Sequence, residues 1–311
     1  MPDLTMHLLF GLQAKQAFRP PLRRAVEAHP GVFAFGTQGP DLFFYHVTPP
    51  YCIRLQKAGS LIHHQQIPRL LREMDRCCNA HRGGPEYPIL AAYWAGFLCH
   101  YFLDSTLHPY VCFLTEQRQK TSSDPAPAIH ARIEAELDTL FFTRACGRPI
   151  RTFSPRPFFR TRPGELAPVV QLWQTLLNEM VLARPVAARH IWPAFRGFVQ
   201  LNALCLEHPG LTGAAGSLAG TLYRPARIIE AHRKPNRVLR DTANLSHRPW
   251  HPPQHPEQTR SESVPELYRQ AGRKAVRAIN LCWDRPDCGG LPFRPDRDFY
   301  GNDIPPDQIR R

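Results

Sequence analysis

His100, Asp104 and His108 stand four residues apart in the run 88–109, which is apolar on nearly every face from Ile89 to Leu103. A helix that apolar must be buried. At about 100° per residue the three side chains fall within a stripe roughly 80° wide, so they share one buried face. An unpaired carboxylate there would cost on the order of several kcal/mol or be forced to protonate, whereas a bound divalent cation removes that cost and gives both imidazoles a partner. The competing reading makes His100 and His108 core histidines bonded to backbone carbonyls, with Asp104 paired to one of them.

More residues of the same types lie on or beside apolar helical patterns. His130 and Glu134 are four apart in 128–142, the spacing that lets one helix grip one cation. His7 falls among Leu4, Met6, Leu8, Phe10 and Leu12. Asp41 follows a Gly/Pro turn and precedes the aromatic run 43–45; it could cap a helix start or serve as a ligand. His63 and His64 are adjacent, so only one of them can face a common site. The collected donors are imidazoles and carboxylates without cysteine, which suits hydrolytic zinc better than a closed structural site. Eight such residues exceed what one metal can use. They imply two or three ions a few Å apart, a geometry that can hold both the attacking and the leaving oxygen in phosphoester cleavage.

The elements that must position these residues are all helical, and the predicted fold class is all-α. Helical periodicity covers 4–18, 21–29 and 59–74, the last with Leu61, Ile62, Leu70 and Leu71 inward, and then the central run, which Pro109 is expected to end at His108. After a polar loop at 118–127 the next helix begins at Ala128; on it Glu136 and Asp138 lie off the core face and are expected to be solvated. Residues 147–165 are rich in Pro and Arg and read as a loop or linker. Helical patterns resume at 166–182, 185–208, 214–233 and 264–283, separated by an irregular segment at 234–264. The reading is one all-α domain over 1–311, with its ligand-bearing core in 1–146 and a helical C-terminal part in 166–311.

The net charge of +13 is unevenly placed: residues 1–145 hold 14 of the 39 Lys/Arg but 12 of the 26 Asp/Glu. The arginine-rich remainder suits phosphate-bearing partners such as nucleic acid, nucleotides or an anionic lipid surface, or serves solubility alone. Nine cysteines without a Cys-x-x-Cys pair fit reduced, mostly buried thiols. No stretch reaches 18 uninterrupted apolar residues, and the first residues lack the basic and apolar regions of a signal peptide, so a cytoplasmic protein is expected.

The order of motifs, above all His100-x-x-x-Asp104 followed by His130-x-x-x-Glu134, resembles the zinc-dependent phospholipase C family, whose fold is shared with single-strand nucleases of the S1/P1 type. The resemblance covers roughly residues 4–145 and implies a phospholipase C/P1 nuclease-like helical domain with a three-zinc cluster. It implies one zinc on Asp41, His63 (in preference to His64), His100 and Asp104, a second on His108, His130 and Glu134, and a third bridged by Asp104 and held by His7. The activity implied is phosphodiester hydrolysis, with zinc lowering the pKa of a bound water and Asp41 orienting or deprotonating it. The implied substrate is a phosphodiester such as a phospholipid. The alternatives are single-strand nucleic acid, with Phe43, Phe44, Tyr45 and Trp94 as stacking platforms, or a metal-binding protein without turnover. Two departures stand out. Secreted relatives bind the third zinc partly through an amino-terminal tryptophan that this chain lacks, and the Asp104–His108 gap is shorter than in the bacterial phospholipases. The segment 244–251 could close over the site or be a Pro-rich surface loop.

Overall fold

The computed structural model describes residues 4–207, 233–285 and 290–309. Its named elements in the first half are α1 (Leu4–Ala14), α2 (Pro20–Ala28), α3 (Pro30–Gly36), a 3-10 turn (Gly39–Tyr45), α4 (Cys52–His64), α5 (Ile67–Ala80), α6 (Tyr87–Gln119) and α7 (Ala126–Cys146). There follow α8 (Ala167–Leu176), which runs on into a π turn, then α9 (Trp192–Glu207), α10 (Val264–Asp284) and the short α11 (Pro306–Ile309). Among the described residues no strand forms beyond the isolated bridges Trp250–Arg260 and Arg297–Asp303. The fold is all-helical, as the sequence predicts, and no described helix is long and apolar enough to cross a membrane.

The axis of the fold is α6, against which α10, α3, α7, α2 and α1 pack. Buried side chains from Leu4 to Phe299 join in one contiguous hydrophobic cluster around it. The crossing of α3 and α6 is set by reciprocal glycines. A Cβ on Gly36 would fall on the Tyr93 carbonyl and one on Gly96 would lie 2.5 Å from the Phe33 carbonyl, so only glycine lets the two backbones approach this closely.

Several expected boundaries move, each for a local reason. Pro109 does not end the central helix: α6 continues to Gln119 with Pro109 inside it. Proline frees the Ser105 carbonyl from its helical bond, and the backbone of Gly301 packs against that carbonyl and the Pro109 ring, so tertiary packing holds the helix through the break. The stretch 59–74 is split between α4 and α5 because Gln66 adopts a left-handed conformation (φ 55°), and Pro68 opens α5 where its missing N–H costs nothing. Leu61 points outward, at 39% exposure, while Ile62, Leu70 and Leu71 are buried. The first helix stops at Ala14 and passes into a 3-10 turn at Lys15–Ala17. The Pro/Arg-rich stretch 147–165 is irregular, yet Ile150, Phe153 and Phe159 bury themselves in the core, so it is a packed loop rather than a linker. Residues 234–263 are irregular, and α10 begins at Val264, opened by a Ser263/Glu266 capping box. The helix expected at 214–233 falls, except for Arg233, outside the described residues.

Glu136 and Asp138 are not solvated. Glu136 takes both guanidinium nitrogens of Arg118, at 3.1 and 2.8 Å, and the Thr242 hydroxyl. Asp138 is fully buried; its oxygens accept the backbone N–H groups of Thr5 (3.0 Å) and Met6 (2.8 Å) and face the Lys234 ammonium at 2.9 Å. It thereby satisfies two of the orphan donors at the start of α1 and fixes the turn that carries His7.

Candidate metal centre

α6 supplies His100, Asp104 and His108 from one buried stripe, and the surrounding elements bring the other ligand types to it. Asp104 lies at the centre. His7 Nε2 of α1 is 3.1 Å from Asp104 Oδ1, His100 Nε2 is 3.2 Å from Oδ2, and the His108 ring comes within 4.0 Å of Oδ2. Asp41, on the 3-10 turn, reaches His63 Nε2 of α4 at 3.0 Å. On the far side of Asp104, Glu134 Oε1 of α7 lies 2.8 Å from His130 Nε2 and 3.7 Å from His108 Nε2. All eight predicted residues thus converge, and three groupings can each offer three ligand atoms to one ion: His7, Asp41 and His100; His63, His100 and Asp104; His108, His130 and Glu134. Of the adjacent pair, His63 is buried and faces inward, while His64 is exposed and stacks on Tyr300.

Four of the imidazoles are held in one tautomer. The Nδ1 atoms of His63, His100 and His108 lie 2.6, 3.3 and 2.6 Å from the carbonyls of Gly59, Thr37 and Phe299. A carbonyl can only accept, so each Nδ1 carries the proton and each Nε2 turns a lone pair toward the carboxylates. The Thr115 hydroxyl donates to the Val111 carbonyl and therefore receives the His130 Nδ1–H at 3.2 Å. Such outer partners fix ring orientation and raise ligand basicity in metal sites. Gly39, at φ +52°, brings the 3-10 turn against the His100 ring where any Cβ would clash.

Burial sets the charge state. It pushes the Asp104 carboxyl up to about 7 and raises that of Asp41. It also holds His100 and His108 well below the ordinary histidine value, with the neighbouring imidazoles adding to the effect. Both Asp104 oxygens, His100 Nε2 and His108 Nε2 are buried and make no hydrogen bond among the described residues. Buried polar atoms are normally satisfied. His100 Nε2 lies 3.2 Å from Asp104 Oδ2 and His108 Nε2 lies 3.7 Å from Glu134 Oε1, acceptor facing acceptor, so each place fits a cation, and the N/O donor set fits zinc. The core-histidine reading fails on this point, since Asp104 finds no hydrogen-bond donor among those imidazoles.

Sequence reasoning misses a cover drawn from the other end of the chain. Phe299 donates its N–H to the His63 carbonyl at 3.3 Å and accepts from His108, and the Tyr300 ring stacks on His108 at 4.7 Å. Asp298 ties this turn by accepting the N–H groups of Tyr300 and Asn302, both at 2.8 Å. The Asp-x-x-Gly-Asn spacing is the one signal of that turn in the sequence. The segment 244–251 lies elsewhere: Asn244 bonds to the carbonyls of Arg248, Ser261 and Glu262, and Trp250 packs on Tyr110 and Phe113 of α6. Of the expected stacking platforms, Phe43 and Trp94 are buried and Tyr45 packs on Phe198. Phe44 alone is exposed, and it stacks on His63 at 5.4 Å.

The chain is all-helical and gathers three buried groups of His, Asp and Glu around one central helix, an arrangement consistent with a multinuclear metal site. Residues 6–167, slightly more than half of the chain, match the family model described as zinc dependent phospholipase C, and all eight residues fall within the match. The chain belongs to the zinc-dependent phospholipase C family. Neither a curated protein nor a solved structure matches it.

Proposed function

We propose that the chain hydrolyses a phosphodiester bond of a phospholipid at a centre of two or three zinc ions. The observation that carries this reading is the set of buried acceptor atoms around Asp104 that find no hydrogen-bond partner among the described residues and so suit cations. We assign one ion to Asp41, His63, His100 and Asp104, a second to His108, His130 and Glu134, and a third to Asp104 with His7. When bound, the ions supply an acidified water and neutralise the phosphoryl oxygens.

The chain's own residues do the rest. Asp104 has no exposed surface, whereas Asp41 keeps a few per cent, so Asp41 is the carboxylate that can reach a water and take its proton at an Oδ atom. Phe44, exposed and seated on His63, offers an apolar contact to the organic part of a substrate. The Tyr300 ring covers His108 and the Phe299 ring packs on His63 and His100, so the two keep water from both groupings.

Phe44 also favours a second reading, a single-strand nuclease in which it stacks a base. Elemental analysis followed by turnover assays separates the readings. Two or three zinc equivalents with release of a phosphorylated head group from short-chain phosphatidylcholine is the expected result; cleavage of single-stranded DNA alone would replace the substrate. Zinc bound with neither activity would leave a metal-binding protein without turnover, and no zinc taken up after it is offered would sink both enzyme readings.

A further inference from the structure

Beside α6, and bounded by α10 and the segment 292–297, lies a cavity of about 330 Å³. Its cations come from two separate elements: Lys274 and Arg277 from α10, and Arg294 and Arg297 from the C-terminal segment. One carboxylate, Asp296, faces them. Arg297 is tied to Asp303 at 2.8 Å and to the Gly301 carbonyl at 3.0 Å. Lys274, Arg277 and Arg294 enter no ion pair among the described residues. Apart from Ser105 the rest of the lining is apolar or aromatic, with Phe102 and Phe293 in contact at 5.4 Å between centroids.

Like charges drawn together from two elements repel, and a fold tolerates that most readily where an anion joins them. Guanidinium groups match the paired oxygens of a phosphate, and a lysine adds a point charge. We propose that this cavity is a second phosphate site, which takes a phosphomonoester whose organic part is small and apolar or aromatic. The phosphate group bridges Arg277 on α10 and Arg294 on the opposite wall, and the organic part lies against Phe293. Desolvation, which lowers the Lys274 pKa, would be opposed by such an anion, as it already is in part by Asp296.

The site is joined to the metal centre through the backbone. The Arg297 carbonyl accepts the Tyr101 hydroxyl at 2.8 Å, one residue beyond His100, and two residues further on Phe299 bonds to both His63 and His108. A ligand that ties this wall to α10 therefore steadies the cover of the centre. The proposal does not depend on which substrate the centre hydrolyses.

Calorimetric titration of phenyl phosphate and of inorganic phosphate into the zinc-loaded full chain tests it. Phenyl phosphate is expected to bind more tightly than inorganic phosphate, and the double variant Arg277→Glu/Arg294→Glu to lose that class of binding by roughly tenfold or more while keeping its zinc. Phe293→Ala, a variant that removes no charge, is expected to weaken phenyl phosphate and leave inorganic phosphate unchanged. Equal binding to the charge-reversed and natural chains would place the phosphate at the metal centre and overturn the proposal. Absence of binding to the natural chain would do the same, and so would no preference for the organic phosphate.

Discussion

Two buried carboxylates, Asp104 and Asp138, are equally hidden from solvent and differently kept. Asp138 is answered from within the chain by two backbone N–H groups and a lysine ammonium. Asp104 is surrounded by imidazole nitrogens and makes no hydrogen bond among the described residues. A carboxylate that holds a fold together is given donors. One ringed by lone pairs is destabilising unless a cation offsets it, a condition that a metal ion would meet. Burial alone does not distinguish the two; the sign of the neighbouring groups does.

The difference can be broken at several places. The largest effect is expected for Asp138→Ala, which strips the start of α1 and removes the carboxylate from Lys234; a loss of about 3–5 kcal/mol in denaturant unfolding should appear with or without zinc. If that loss vanished in the zinc-free chain, Asp138 would belong to the metal centre. Asp104→Asn should behave in the opposite way. The zinc-free variant should be as stable as the parent or more so, but it should bind less zinc and lose the stabilisation zinc confers, about 2.7 kcal/mol at a hundredfold excess over Kd. Full metal content in this variant, or in His100→Ala, would refute the central role given to α6.

Asp75 is an intermediate case, half-buried and bonded to the Trp94 indole and the Asn79 amide, with burial raising its pKa to about 6. The folded chain thus keeps a proton that the unfolded chain releases between about pH 4 and 6. Its contribution should fall as pH rises through that window, by roughly 1 kcal/mol after allowance for solvent, and stay level above it. Asp75→Asn should flatten that part of the stability–pH curve, and an unchanged curve would show that another group is responsible. The smallest effect is expected for Tyr300→Ala, which removes one stacked ring from His108 and should cost about 0.5–1.5 kcal/mol, read as a shift in midpoint with zinc stoichiometry kept. Loss of a zinc equivalent instead would make Tyr300 part of the ligand support.

The candidate site was legible because ligand-type residues four apart on an apolar helix leave few harmless explanations: His100, Asp104, His108, His130 and Glu134 were singled out by that rule and do converge, and the adjacent His63 and His64 resolve as one inward and one outward ring. Asp138 was misread for a matching reason. Helical period assigns a face, but the start of α1, which contacts that face, is more than 130 residues away in sequence. Pro109 shows the same limit, since the local rule for proline is overridden by Gly301, whose approach no local pattern encodes. The Phe299–Tyr300 cover was invisible for the same cause. A carbonyl acceptor carries no residue signature, and any residue at 299 would offer one.

That cover has a consequence in time. His108 and the carbonyl that orients it are 191 residues apart, so at a synthesis rate of roughly 5–20 residues per second His108 waits about 10–40 s for its acceptor to be made. Through that interval a nascent chain carries α6 without the Phe299 acceptor, and the centre is enclosed only once Phe299 has followed.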